Sequence, residues 1–568
     1  MIHKRIIGAT FLLIFNNFPV DTDYNSELWG LFEKYDQYVL RTYPEYATYE
    51  GDHRYDDLLS DESDEGVRAG YDTTRAFLKE LEKIDYSSLT SENKLNYDLF
   101  KTMLEQDLEG EKFYSHYMPI AQQNGLHIDF PQLIETQPLS TYEEYQKYFK
   151  RLRGFEKKVN DVINNIRKGM GKELVMPVFL IELTLPQMEK IKDTPVEKSV
   201  FYSPFNKENK LTPDGREKIG IELKNTIETY INKSYQKLYD FVKFEYLPKC
   251  RQEAGIWSLP DGKERYQFII KNYTTTSLTA DEIHNIGMKE VERILAEMEK
   301  VKNEIGFQGS LDEFNTFIKT DKQFYYTDKV QLMDGFRVIL REMDKKLPEL
   351  FGILPEARYD FKEIEEYRAK SAPAAYYYSA PEDRSRPGYF YVNTYDLSAR
   401  PKYTMTALAL HEAVPGHHLQ IAIAQELKNL PKFRRNMGVT AFIEGWGLYS
   451  ESLGFETGMY TDKYQHYGAL TFEMWRACRL VVDTGIHEKR WTRQQAYDFI
   501  HKYTPNSDQD LRSEIDRYIA WPGQALAYKI GEMKIKELRK KAENKLGNKF
   551  KVKEFHDNVL KNGAVPLP

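Results

Sequence analysis

Residues Met405 to Leu453 read MTALALHEAVPGHHLQIAIAQELKNLPKFRRNMGVTAFIEGWGLYSESL, and the interpretation of the whole chain starts from this stretch. Three of the twelve histidines of the chain fall within eight residues here, and glutamates follow on a second helical segment. Zinc binds imidazole nitrogen and carboxylate oxygen readily, and a catalytic zinc keeps three protein ligands and one open position. We therefore expect two facing helices to form a hydrolytic zinc site, with His411 on the first and Glu444 on the second.

The spacing of the histidines differs from the four-residue spacing of the HExxH zinc motif. On an ideal helix, His417 would lie about 120° from the face of His411, whereas His418 would share that face about 10.5 Å further along the axis. Pro415-Gly416 lies between them, and a proline removes a backbone donor and clashes with the preceding helical turn. A bulge is expected there, and it could bring His417 to the metal. We take His417 as the second ligand and keep His418 as the alternative.

Two further glutamates have predicted roles around the metal. Neighbouring residues on a helix point about 100° apart, so Glu412 can reach a water at the metal without being a ligand. Glu412 is therefore predicted to be the general base that takes a proton from this water. Glu451 follows Glu444 by seven residues and is expected to hold a ligand histidine by a hydrogen bond. The alternative for Glu451 is a salt bridge on the helix surface.

The motif HEAVPGHHLQ at 411–420, followed by EGWGLYSE at 444–451, resembles a large bacterial family catalogued only as a domain of unknown function, whose members carry HEAxPGHH. That family is in turn similar to the helical zinc peptidases: thimet oligopeptidase, angiotensin-converting enzyme and the Taq-type carboxypeptidases. In these peptidases the metal helix reads HExxH and a following helix supplies a glutamate ligand. The resemblance implies that Glu444 is this ligand, that Glu451 is the later carboxylate of the Taq-type enzymes, and that His417 follows a two-residue insertion. The similarity to the peptidases is confined to the zinc segment and to general helical character.

Composition and charge limit the classes of protein that the chain can belong to. Of its 568 residues, 41% are hydrophobic and 29% are charged, so a large core is expected and wholesale disorder is excluded. The net charge of −7 argues against general affinity for nucleic acid. Two cysteines, Cys250 and Cys478, exclude a cysteine metal site and a disulfide framework, although a single bridge stays open. The sequence does not indicate an oligomeric state.

The first twenty residues, MIHKRIIGATFLLIFNNFPV, are typical of an export signal. Lys4 and Arg5 precede the apolar run Ile6 to Phe15, which has the length of a signal core and is too short to span a bilayer. We therefore predict a signal peptide at 1–20 and a periplasmic or extracellular protein, with no stable membrane insertion. The alternatives are a buried N-terminal helix or a mis-called start, either of which would leave the protein cytoplasmic. Residues 22–568 carry no repeat or low-complexity linker and are expected to form one catalytic domain.

Helical periodicity dominates the chain and predicts a mainly α fold. The last of the predicted helices before the strand region has a capping box, with Thr279 at the N-cap and Glu282 three residues later. The segment Gly125 to Pro138 is expected to be an irregular buried connector. The expected helices cover Asn25 to Tyr43, residues 71–109, Tyr142 to about Gly169, Thr212 to Phe244 and Ala280 to Ile305.

One segment, Ala374 to Thr394, alternates in the manner of a β-strand. Its strongest part, around Tyr389 and Tyr391, lies just before the predicted metal helix. In the resembled peptidases a strand at this place pairs with the substrate backbone, so both tyrosines are expected to bind substrate. The alternative is an ordinary hairpin packed on helices.

The late part of the chain offers hydrogen-bond donors for a tetrahedral oxyanion. His487 follows Asp483-Thr484-Gly485, which we interpret as a turn, while Tyr518 and Tyr528 flank Trp521-Pro522-Gly523. A packing role is the alternative for each tyrosine. Two arginines, Arg476 and Arg517, are candidates for binding a substrate carboxylate.

Together these observations predict a mainly α, large bilobed domain like that of the helical zinc peptidases, with a small β-sheet beside an active-site channel. The expected reaction is Zn²⁺-dependent hydrolysis of short peptides, with manganese or cobalt as other metals for the same ligands. The alternatives are a metal-dependent hydrolase of a non-peptide amide or ester, and an inactive helical binding protein of the same fold. An intact Glu412 argues against the second alternative, because a binding protein needs no base.

Overall fold

A computed structural model describes residues 23–364, 369, 372–382 and 384–568. The predicted signal peptide at 1–20 lies outside these residues. The described part of the chain is mainly helical, with one small sheet, as the periodicity predicts. No helix in this part is both long enough and apolar enough to cross a membrane.

Thirteen helices precede the sheet in the described chain, joined by short loops and 3₁₀ turns. In chain order they are α1 Tyr24–Thr42, α2 Pro44–Tyr49, α3 Asp64–Leu81, α4 Ser91–Gly110, α5 Leu126–Leu133, α6 Tyr142–Met170, α7 Val178–Asp193, α8 Pro213–Thr226, α9 Lys233–Phe241, α10 Gly262–Thr274, α11 Ala280–Ile305, α12 Leu311–Thr320 and α13 Lys329–Leu350.

Most of the predicted helices are confirmed. These segments are helical because each buries a stripe of apolar residues at helical spacing. Helix α1 ends at Thr42, two residues before Pro44, and α11 begins at the predicted capping box of Thr279 and Glu282. The predicted helix from 212 to 244 is α8 and α9, linked by the π-helical turn Ile227–Asn232. The prediction of an irregular connector at Gly125 to Pro138 is wrong, since α5 lies within it.

The sheet has three strands: β1 Tyr359–Glu363, β2 Ala375–Tyr378 and β3 Gly388–Val392. Strand β3 is the predicted strand, but it is central: β1 pairs with it in parallel and β2 in antiparallel orientation. Its two edges are therefore occupied by protein. The expectation that the strand around Tyr389 pairs with a substrate backbone is wrong for β3, because β1 and β2 are the two strands at the edges of the sheet.

Nine helices follow the sheet, and the candidate site is built from them. They are α14 Lys402–Glu412, α15 His417–Glu426, α16 Lys432–Arg435, α17 Thr440–Glu456, α18 Lys463–His487, α19 Arg493–Tyr503, α20 Asp508–Ala520, α21 Ala527–Leu546 and α22 Val552–Leu560.

Two features of this half correct the sequence analysis. The predicted turn at Asp483 to Gly485 lies inside α18, because all three residues are buried against neighbouring helices and the helix continues to His487. Cys250 and Cys478 are both free thiols, so the single disulfide that stayed open does not form.

Helices α17 and α21 cross at close range because glycine faces glycine. A Cβ on Gly445 would lie 2.5 Å from the backbone of Gly531, and a Cβ on Gly531 would lie 1.8 Å from the carbonyl oxygen of Ala441. This crossing brings the first turn of α21, which carries Tyr528, next to the helix that carries Glu444.

Candidate active site

The metal-helix segment consists of two helices, α14 and α15, with a sharp turn between them. Ala413 and Gly416 both have non-helical backbone angles. The predicted bulge within one helix is therefore wrong, because the chain leaves the helix altogether at this point. The turn folds back under the end of α14: a Cβ on Gly416 would lie 1.9 Å from the carbonyl oxygen of His411. Only glycine fits this position, and the turn starts α15 at His417.

Helix α17 holds this turn in place. The indole Nε1 of Trp446 donates a hydrogen bond of 2.8 Å to the carbonyl oxygen of Pro415, and the Ser450 hydroxyl donates one of 3.3 Å to the same oxygen. One residue along, Gly447 leaves room for the imidazole of His411, because a Cβ there would lie 2.8 Å from Cε1 and Nε2 of the ring. The sequence GWG at 445–447 therefore shapes the site from the opposite helix.

The three predicted metal ligands lie together. Nε2 of His411 and Nε2 of His417 each lie 3.5 Å from Oε2 of Glu444, and the three ligand atoms all lie within 4.8 Å of one another. A separation of 3.5 Å is long for a charge-assisted hydrogen bond, which spans about 2.7–2.9 Å. It is close to the distance of about 3.4 Å between two ligands of a tetrahedral zinc ion that binds each at about 2.1 Å. Oε2 of Glu444 is buried without a hydrogen-bond partner, so this donor set fits a zinc ion.

The charges of the three residues depend on one another. Burial lowers the pKa of His411, but the adjacent carboxylates of Glu444 and Glu451 outweigh burial and raise the pKa to about 9. Burial likewise raises the pKa of Glu444, yet the imidazoles of His411 and His417 hold it well below its usual value. The two imidazoles therefore favour positive charge beside the ionised Glu444 carboxylate.

Glu451 makes the hydrogen bond that the sequence predicts for it. Its Oε1 lies 2.8 Å from Nδ1 of His411, which leaves Nε2 of that ring for the ligand position. Nη2 of Arg476 lies 3.3 Å from the same oxygen, and its Nη1 donates a hydrogen bond of 3.3 Å to the carbonyl oxygen of Phe472. Arg476 lines the cavity, but the positive charge of its guanidinium is paired with the carboxylate of Glu451.

His418, the alternative ligand, faces the sheet and not the cluster. Its Nδ1 lies 2.9 Å from the Tyr377 hydroxyl, and its ring packs 4.7 Å from the ring of Tyr359. Burial lowers the pKa of His418 to about 4. The structure therefore brings His417, and not His418, to His411 and Glu444.

The cluster opens into a cavity of about 1390 Å³. Its lining includes His411, Glu412, His417 and Glu444, so the predicted base and the three ligands share one space. The side chain of Glu412 is half-buried at the end of α14. Residues 374–378, which include strand β2, and the side chains of Tyr389 and Tyr391 also line the cavity.

Of the three predicted oxyanion donors, only Tyr528 is among the described residues that line the cavity. Its ring lies 6.4 Å from the ring of His411, and Nε2 of Gln524 donates a hydrogen bond of 3.3 Å to its hydroxyl. Burial, together with the nearby charge of Glu444, raises the pKa of Tyr528, so its hydroxyl keeps its proton.

His487 and Tyr518 serve the structure of the wall, which corrects the roles predicted for them. Nδ1 of His487 accepts a hydrogen bond from the backbone N–H of Ile256, and Nε2 donates to the carbonyl oxygen of Tyr518, so neither nitrogen is available to a substrate. The Tyr518 hydroxyl donates to Glu514 and accepts from Arg479. Burial lowers the pKa of His487 to about 3.

Arg479 and Glu514 are among the charged residues of the cavity wall that sequence reasoning missed. Arg517 donates to both oxygens of Glu514, from Nε at 3.0 Å and from Nη2 at 2.8 Å. Arg479 pairs with the same carboxylate through Nη2 at 2.9 Å. The available signal was the repeat of arginine at 476 and 479 on one helix of the predicted site.

Residues 44–568 match the model of a family described as bacterial protein of unknown function, DUF885. A candidate lipoprotein from Colwellia psychrerythraea is similar at 29% identity, with a TM-score of 0.91, over 96% of this chain and 97% of its own. A candidate lipoprotein of unknown function from Shewanella oneidensis shares the fold at 17% identity, with a TM-score of 0.72, over 95% and 98%. None of the curated proteins matches the chain.

Proposed function

The chain belongs to the DUF885 family of bacterial proteins of unknown function, and from the geometry of its site we propose that it is a zinc-dependent peptidase acting on short peptides. The proposal rests on the close approach of the ligand atoms of His411, His417 and Glu444 in the wall of a large cavity. Two imidazoles and one carboxylate, with a fourth side open, form the donor set of a catalytic zinc site.

In this proposal, His411, His417 and Glu444 hold the metal. A bound zinc ion would supply Lewis-acid chemistry, polarising the substrate carbonyl and making a water acidic enough to attack it. Glu412 takes the proton from the attacking water and passes it to the leaving amine. The protonated hydroxyl of Tyr528 stabilises the oxyanion that develops on the carbonyl oxygen. Glu451 keeps the His411 ring in the orientation that directs Nε2 into the site.

The size and lining of the cavity favour a peptide as the substrate. A cavity of about 1390 Å³ exceeds the roughly 300–1,000 Å³ of sites for compact small molecules, so it can hold several residues of an extended chain. Strand β2 lines this cavity, and no described strand pairs with its other edge. An extended peptide can add to such an edge through backbone hydrogen bonds. The tyrosines on the strands, including Tyr389 and Tyr391, offer rings to the peptide side chains.

Export of the protein fits the same proposal. Residues 1–20 have the pattern of a signal peptide, and two solved relatives carry names that describe them as candidate lipoproteins. We therefore place the peptidase outside the cytoplasm, where it would act on short peptides in the periplasm or the medium.

The experiment that tests the proposal combines metal analysis of the purified full-length chain with digestion of a peptide library read by mass spectrometry. We expect about one zinc per chain and cleavage of short peptides. The matched variant Glu412→Gln should keep its zinc and lose roughly 10²- to 10⁴-fold in cleavage rate, because only the base is removed. Zinc retention with an undiminished rate in Glu412→Gln would refute the base, and turnover of esters but no peptides would refute the substrate class.

A further inference from the structure

A group of charged side chains lies on the cavity wall next to Tyr528. It consists of Arg479 on α18 with Glu514 and Arg517 on α20, and all three line the cavity. Both guanidiniums pair with the one carboxylate, and no other described carboxylate lies within 4.0 Å of either of them. Two buried positive charges therefore share a single negative charge.

The hydrogen bonds show which of the two arginines has a positive charge that is not fully paired. Every guanidinium nitrogen of Arg517 has a partner, with Nε and Nη2 on Glu514 and Nη1 on the side-chain oxygen of Gln524. Arg479 uses Nη2 for Glu514 and Nε for the Tyr518 hydroxyl, but its Nη1 is buried with no hydrogen-bond partner. A buried cationic N–H without an acceptor is costly, and an anion that enters the cavity would remove this cost.

The position of Arg479 relates this free donor to the candidate metal site. Its guanidinium carbon lies 4.3 Å from the centre of the Tyr528 ring, and the ring of His411 lies 6.4 Å from that same centre. The guanidinium carbon and the His411 ring are therefore at most about 10.7 Å apart. Extended peptide advances about 3.3 Å per residue, so up to about three residues fit between the two groups.

We propose that Arg479 binds the terminal carboxylate of the substrate, so that the site removes one to three residues from the carboxyl end of short peptides. This inference rests on the proposed peptidase function and deepens it. Arg517 and Arg476, the sequence-predicted carboxylate ligands, are committed to Glu514 and Glu451 and act as positioning residues for this wall.

The test compares one peptide as its free acid and as its C-terminal amide, with binding measured by calorimetry on the zinc-loaded Glu412→Gln protein, which does not turn over. We expect the acid to bind about 10- to 100-fold more tightly than the amide, the value of one charge-assisted hydrogen bond or two. In the Arg479→Gln, Glu412→Gln double variant the ratio should fall to about 1. Removal of Arg479 leaves Arg517 and Glu514 as a balanced pair, so this variant should fold and keep its zinc.

Two further variants complete the test. Arg479→Lys keeps the charge without the planar fork, so it should retain only part of the preference. Arg167→Gln, which removes an exposed partner of Glu245 outside the cavity, should keep all of it. Equal binding of acid and amide to Glu412→Gln, or an unchanged ratio without Arg479, would overturn the inference. Because the ratio is measured without turnover, it can fail while peptide cleavage is observed, and it can hold while cleavage is absent.

Discussion

At the scale of single residues, Glu451 decides how firmly the His411 imidazole is oriented. The carboxylate is 3% exposed and lies 2.8 Å from Nδ1 of His411. Glu451→Gln keeps the shape and an acceptor oxygen but removes the charge, so we expect zinc affinity to fall by about 10- to 100-fold. The dissociation constant, measured by competition with a chromophoric chelator, checks this.

The control for this prediction is Glu456→Gln on the same helix. Glu456 is an exposed partner of Arg539 and lies outside the cavity, so its removal should leave zinc affinity unchanged. An equal loss in both variants would mean that Glu451 acts through the stability of α17 and not through the imidazole.

The candidate ligands were predictable from the sequence because residue type and spacing carry the chemistry. His411 and Glu444 needed only two facing helices, whereas the choice between His417 and His418 depended on how the Pro415-Gly416 turn folds. That turn is decided by contacts from Trp446 and Ser450, which are distant in sequence. Arg479 was not predicted for the same reason. Whether its guanidinium keeps an unpaired N–H depends on how many donors share the Glu514 carboxylate, and the sequence does not show this.

At the scale of elements, the closeness of α17 to α14 depends on a helical glycine. A Cβ on Gly447 would lie 2.8 Å from two ring atoms of His411, and a buried ring with a hydrogen bond to Glu451 has little room to move. We expect Gly447→Ala to destabilise the protein by about 1–3 kcal/mol and to weaken zinc binding. Denaturation midpoints and zinc titration check this prediction.

The matched control is Gly30→Ala, because Gly30 also lies in a helix but has no atom near its Cβ position. That change should be neutral or stabilising by up to about 1 kcal/mol, from helix propensity alone. Zinc affinity in Gly447→Ala equal to that of Gly30→Ala would contradict the proposed fit.

Asp483 ties α18 to the turn before Tyr528. Its carboxylate accepts hydrogen bonds from the Tyr266 hydroxyl and from the backbone N–H of Gly523. Burial raises the pKa of Asp483 to about 7 from a usual value of 3.8. The folded chain therefore holds this proton more tightly than the unfolded chain, and stability falls as pH rises from about 4 to about 7, by up to about 1.4 kcal/mol per pH unit.

Asp483→Asn removes this ionisation, so the variant should lose less stability than the wild type between pH 5 and pH 7. Chemical denaturation at both pH values measures the difference. The control Asp72→Asn, on the exposed side of α3, should follow the wild type. Parallel pH curves for Asp483→Asn and the wild type would show that the pKa of this carboxylate is not raised in the folded chain.

At the scale of the whole molecule, the long helices followed from periodicity because each buries its own apolar face. The sheet did not follow, because its order depends on pairing between distant segments. Residues 359–363 carry no strong strand signal, yet they form β1 and occupy one edge of β3. The predicted strand lies where it was expected, but it pairs with β1 and β2 and not with a substrate. The strand edge that lines the cavity belongs to β2.

The candidate metal joins three helices that the chain reaches at different points, so zinc should stabilise the fold as a whole. His411 lies in the last turn of α14, His417 starts α15, and Glu444 lies on α17. Free zinc at 100 times its dissociation constant adds about 2.7 kcal/mol to the folded state. For a chain of this length unfolding as one unit, that corresponds to a rise in Tm of roughly 2–3 °C. Calorimetry with and without a chelator measures the shift, which should vanish in His417→Ala and persist in His418→Ala, whose ring faces the sheet. A shift lost only in His418→Ala would move the metal to the other side of α15.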